Sequence, residues 1–114
     1  MSTLLILNDP PYGTERSFNG LRMAKALAAA NDEVTVFLMA DAVSCAKHGQ
    51  KVPEGFYNLE LMLKAVLRKG QVLLCGTCMD ARGITDTDVI EGARRSSMKE
   101  LADETLAADK VLVF

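Results

Sequence analysis

Four short apolar runs punctuate the chain: LLIL (4–7), VTVFLM (34–39), VLLC (72–75) and VLVF (111–114). None alternates apolar with polar positions, so each predicts a strand covered on both faces, as in a parallel sheet. Between them the period changes to that of helices. Phe18, Leu21, Ala24, Leu27 and Ala28 share one side of a helix over 15–30, with Thr14 as its N-cap. Leu59, Met62, Leu63 and Val66 do the same over 59–69, with Asn58 capping the start and Gly70 the end. Over 98–108, Met98, Leu101, Ala102 and Thr105 form the stripe, and Ser97 with Glu100 has capping-box spacing. A shorter helix is expected near Asp41. The segment 85–95 reads as a helical turn in DTDVIEG followed by a short fourth strand in ARRSS.

Strand and helix therefore alternate along the chain, which predicts an α/β fold. It has three layers, a mainly parallel sheet of about five strands and right-handed crossovers, as in flavodoxin-like proteins. In such a sheet functional groups gather where strands end at their carboxyl side. NDPPYGTE, ADAVSCAKHGQK and GTCMDARG, the loops after the first three strands, should share that edge. The segment 49–58, rich in Pro, Gly and aromatic residues, is long enough to act as a lid.

Bulk properties narrow the function. At 114 residues, 49% apolar and 25% charged, residues 1–114 fit one soluble domain that folds without staples. A net charge of −2 argues against direct nucleic-acid binding. The apolar runs are too short to span a membrane, and the first residues lack the basic flank of a secretory signal. A cytoplasmic location is expected, where thiols stay reduced. Three cysteines, an odd number, suit reactive or buried thiols better than a disulfide framework.

The chemistry concentrates in VLLCGTCMDARG (72–83). Cys78 lies just beyond a strand, where helix amides and a nearby cation stabilise a thiolate and make a nucleophile. Arg82 is the nearest cation in sequence; Lys47, His48 and Lys51 come from the neighbouring loop. Asp80 lies in the same loop, and Asn8 and Asp9 shape the first loop through side-chain to backbone hydrogen bonds. The competing view makes Cys78 an inert loop thiol. Cys75, at the end of an apolar strand, reads first as a small buried hydrophobe and second as a partner thiol for Cys78. Cys75 and Cys78 form a C-x-x-C, but redox sites of thioredoxin type begin at a helix start, and here the first cysteine falls inside a strand. Cys45, His48, Cys75 and Cys78 also write out a Cys3His zinc set. A domain of this size needs no zinc to fold, so neither resident metal nor cofactor is expected. NDPPYGTE has neither the P-loop nor the dinucleotide fingerprint.

NDPPYGTERSFNGLRMAKAL, VTVFLMADAV, LCGTCMDARGI and LAADKVLVF, in that order, resemble the DsrE/DsrF-like superfamily, most closely its YchN-type branch. The resemblance implies a parallel α/β fold and assembly into homotrimers or homohexamers. It also implies, from the sulfur-relay members, a cysteine carrying persulfide sulfur between donor and acceptor proteins. Cys78, four residues before Arg82-Gly83, matches that carrier. Cys75 goes with the YchN-type branch and lies outside the carrier's pattern. The leading expectation is a cofactor-free persulfide carrier acting through Cys78. The alternatives are a dithiol redox or metal-sensing module using both cysteines, and a non-catalytic oligomeric binding module.

Overall fold

A computed structural model describes residues 1–114. Five strands form one sheet: β1 (Ser2–Leu7), β2 (Glu33–Leu38), β3 (Gln71–Cys75), β4 (Arg94–Ser96) and β5 (Lys110–Val113). They stand in the order β4-β3-β2-β1-β5, and every pairing is parallel. Helices α1 (Arg16–Ala29), α2 (Leu59–Leu67), α3 (Gly76–Ala81) and α4 (Met98–Ala107) connect them, with 3-10 turns at Ala40–Ala46 and Asp86–Asp88. The right-handed crossover rule places α1 and α2 on one face. It places α4, which returns from the β4 edge to β5, on the other.

The first three apolar runs become the core; the fourth does not, because β5 is an edge strand on which Val111 and Val113 are exposed, so its apolar run is not covered on both faces within this chain. Leu4, Leu5, Leu7, Val36, Phe37, Leu38, Leu73 and Leu74 are all buried, as a sheet covered on both faces requires. The fourth strand, read from ARRSS, is present as β4 beside β3. Asn58 caps α2, its side chain accepting a hydrogen bond from the Leu61 N–H at 3.1 Å. Ser97 caps α4 through the Glu100 N–H at 3.2 Å. The reciprocal half of that capping box is missing, because the Glu100 carboxylate is drawn to Arg94 at 2.8 Å and to the Ser96 hydroxyl.

Three local expectations change. Thr14 lies one residue outside the cap position of α1; its hydroxyl accepts from the Arg16 N–H at 3.2 Å and donates to Asp9 at 2.7 Å. Gly70 does not end α2 by a left-handed turn. Its N–H returns to the Val66 carbonyl at 2.8 Å, and a Cβ there would stand 2.2 Å from the Val34 carbonyl oxygen. The amphipathic stripe of α4 is buried only at Leu101: Met98 is 63% exposed, and Ala102 and Thr105 are exposed too. Amphipathic spacing shows that a helix has an apolar side, not that this chain covers it.

No helix is long and apolar enough to cross a membrane. Gly70→Ala should lower the urea midpoint by the equivalent of about 2 kcal/mol without changing the m-value, because a backbone oxygen cannot move aside as a flexible side chain would.

Candidate functional site

Strand β3 passes into α3 with no intervening loop. Cys75 is the last residue of the strand and also the N-cap of the helix. Its Sγ accepts a hydrogen bond from the Cys78 N–H at 3.3 Å, the position a capping oxygen usually takes. The sequence reading placed Cys75 in the strand, as it is, but took that to exclude a helix start, and the same residue is both. The C-x-x-C pair stands at a helix start, with one thiol at the cap and the other in the first turn. Gly76 is required there because a Cβ would come within 2.9 Å of the Arg95 Nε and 3.1 Å of the Ser96 carbonyl oxygen.

The two thiols differ in surroundings. Cys75 is 8% exposed; burial pushes its thiol pKa up, and the adjacent Cys78 side chain adds to the rise. Cys78 is half-buried, and its Sγ accepts a hydrogen bond from the Ala40 N–H at 3.2 Å. Ala40 opens the 3-10 turn after β2 and has a φ of 49°, a left-handed conformation uncommon for a residue with a side chain. Each sulfur thus receives one backbone N–H. The donor for Cys78 comes from a different loop, so its geometry depends on the loops after β2 and β3 staying together.

Arg82 provides that link. Its Nε–H donates to Asp41 at 2.9 Å and its Nη1–H to the Cys78 carbonyl at 3.1 Å. The residue joins the Ala40–Ala46 turn to α3 through backbone and carboxylate, not by contact with a sulfur. On the other side Arg95 of β4 pairs with Asp80 at 2.7 Å and lies over Gly76. Its nearness to Cys75 is reflected in its own pKa, raised mainly by Asp80 and in small part by that thiol. Arg95 was missed by the sequence reading. The register that pairs Leu74 with Arg95 and Cys75 with Ser96 is the signal that locates it.

The remaining sequence candidates lie elsewhere. His48 Nε2 is 2.9 Å from the Thr87 carbonyl, and Lys47 and His48 lie near Asp88, whose carboxyl is held below its usual range chiefly by hydrogen bonds from Thr85. Lys51 is exposed. Asp9 staples its own loop, its carbonyl accepting the Ser17 hydroxyl at 2.7 Å and its carboxylate the Thr14 hydroxyl. Asn8 closes the crevice between β1 and β5, where strand order reverses. Its backbone N–H and its Nδ2 both donate to the Phe114 carbonyl at 3.1 Å.

Cys45 is fully buried, with its Sγ 3.7 Å from the Asp9 carbonyl; burial pushes its pKa up to about 12. The Cys3His set is therefore not assembled, and no group of three or more His, Cys, Asp or Glu side chains is placed to hold a metal ion. Segment 49–58 is pinned at both ends. Gln50 Nε2 donates to the Cys45 carbonyl at 2.8 Å, and Asn58 Nδ2 donates to the Gln50 carbonyl at 3.3 Å.

A parallel α/β domain that presents one half-exposed thiol beside a buried one defines a class of small thiol proteins. Within it, the DsrE/DsrF-like family model matches residues 1–114, and the chain belongs to that family. It is 44% identical to protein YchN of Escherichia coli (strain K12), with 97% of each chain covered. It is 35% identical to protein MJ0989 of Methanocaldococcus jannaschii over the whole of both. A TusC homolog of Vibrio parahaemolyticus is 26% identical, also end to end. The crystal structure of the Escherichia coli YchN protein superposes with a TM-score of 0.90, covering 100% of both chains at 44% identity. MTH1491 of Methanobacterium thermoautotrophicum, at 13% identity and a TM-score of 0.75, shares the fold.

Native-state alkylation with iodoacetamide at pH 8, read by peptide mass spectrometry, should label Cys78 first, Cys75 slowly and Cys45 only after unfolding. For Cys45 the order follows from the sign of its shift: with its pKa raised to about 12, the thiol keeps its proton throughout the neutral range.

Proposed function

We propose that the chain, acting as one DsrE-like domain over residues 1–114, carries sulfane sulfur on Cys78 and passes it to a partner protein. The observation that carries this reading is the position of Cys78. It is the one thiol that is not buried, and its Sγ receives the Ala40 N–H across a loop boundary. Membership of the DsrE/DsrF-like family and the likeness to a TusC homolog support a sulfur-relay role. In the transfer, the Cys78 thiolate attacks the outer sulfur of a donor protein's persulfide. That sulfur becomes bonded to Cys78, and the donor leaves as a thiolate. An acceptor thiolate then repeats the exchange, so no oxidant, cofactor or metal is consumed. Arg82 and Asp41 keep the Ala40 donor in place, and Arg95 and Asp80 flank the helix start.

A second reading is a dithiol switch. The Cys78 N–H bond to the Cys75 sulfur favours it, since both thiols then share the first turn of one helix. The two readings separate by intact-protein mass spectrometry after incubation with a cysteine desulfurase and cysteine. A carrier gains the mass of one sulfur atom, reversed by reductant, in wild type and Cys75→Ser but not in Cys78→Ser. No gain in any protein, with loss of two hydrogens that requires both cysteines, sinks the carrier and supports the switch. No change of either kind removes both.

Self-association into a homotrimer or homohexamer belongs to the same proposal. Edge strand β5 exposes Val113 (66%), and α4 exposes Leu106 (86%) and Met98 (63%), apolar positions that a second copy would cover. Leu106→Glu should reduce the sedimentation coefficient to that of a smaller species while Cys78 remains open to alkylation.

A further inference from the structure

Helices α1 and α2 both run from the carboxyl edge of the sheet toward its amino edge. A groove with a cavity volume of about 740 Å³ lies between them, within the range of small-molecule sites. It is separate from the cysteine loop, and none of its lining belongs to that loop. Its floor is apolar and shallow in side chains: Ala24, Val34 and Val66 are buried there, and Ala28 and Ala65 leave room above them.

The lining changes character along its length. At the carboxyl-edge end stand Phe18, Leu61 and Met62, with Leu61 61% exposed. Toward the amino-edge end stand Lys25, Arg68 and Lys69. None of these three cations enters an ion pair, and no Asp or Glu lines the groove. Arg22, the fourth cation, lies over the Phe18 ring at 5.6 Å and donates to Asn19 at 3.2 Å, so it is turned toward the apolar end. Arg68 and Lys69 follow the carbonyl end of α2, and its dipole accounts for two positive charges there. It does not account for Lys25 on the opposite wall, or for the absence of any carboxylate in a chain of net charge −2. From Phe18 to Ala29 the α1 wall spans about 17 Å.

We propose that this groove binds a free fatty acid of medium chain length. Its alkyl chain lies on the alanine and valine floor toward Phe18 and Met62, and its carboxylate meets Lys25, Arg68 and Lys69. The arrangement of charge selects this occupant. Cations stand on both walls, but Lys25, Arg68 and Lys69 gather toward one end, and Arg22 at the other is engaged by the Phe18 ring and Asn19. The free charge therefore suits one anionic head group better than the row of carboxylates on an acidic amphipathic helix.

The probe is dodecanoate, titrated calorimetrically below its micelle-forming concentration, with dodecanol as the uncharged control. The expected result is one molecule per chain, with dodecanol weaker by about tenfold or more and Lys25→Glu/Lys69→Glu weakening dodecanoate to a similar degree. Both lysines are exposed, so the variant should keep the wild-type circular dichroism. Ala65→Trp, which fills the channel, should abolish binding, while Cys78→Ser should bind as wild type does. Absence of dodecanoate binding overturns the proposal, as does equal affinity for dodecanol. Binding to anionic lipid vesicles without binding of free dodecanoate overturns it in favour of a membrane surface. A change in sedimentation on Ala65→Trp overturns it in favour of a contact between copies of this chain.

Discussion

The cysteine site depends on one backbone constraint: β3 must become a helix at Cys75 with no residue to spare. A strand N–H and a helix N–H point in different directions, so a residue belonging to both elements must exchange ladder bonds for cap bonds within one peptide unit. Cysteine makes the exchange by letting its sulfur stand in for the usual capping oxygen, and Gly76 removes the Cβ that would strike β4. The position of the second thiol is then determined by helical rise. Cys78 falls on the first turn, against whichever loop ends the neighbouring strand.

That neighbouring loop explains why two ion pairs flank so short a helix. Six residues of helix gain little from their own hydrogen bonds. The Arg82–Asp41 pair ties α3 to the turn after β2, and the Arg95–Asp80 pair ties it to β4. Each pair is partly exposed, so neither contributes much to global stability. Their effect is local: they set the distance between a sulfur and an N–H that belong to different crossovers.

The sheet was legible in the sequence because burial on both faces leaves an unmistakable pattern. The apolar runs at 4–7, 34–39 and 72–75 became adjacent central strands, and even the polar ARRSS was readable, since alternation required a strand there. The site was legible as a place but not as an arrangement. Spacing put Arg82 one helical turn from Cys78, but spacing does not reveal that a side chain at that distance reaches the carbonyl in preference to the sulfur. Ala40 carries its contribution on the backbone and has no side chain to announce it. Arg95 is distant in sequence and becomes a neighbour only through strand register. The α4 stripe misled for the opposite reason, because its periodicity is present while little in the chain packs on it.

Ala40 also bears on how this protein would respond to selection. A non-glycine residue at φ 49° is held in a sparsely populated backbone region by its surroundings. Glycine would occupy that region without steric penalty, yet it would also free the one N–H that reaches Cys78. A laboratory screen for heat resistance and a screen for thiol chemistry would therefore pull this codon in opposite directions. Sequences recovered from the two screens would diverge first at an alanine that no motif search would mark.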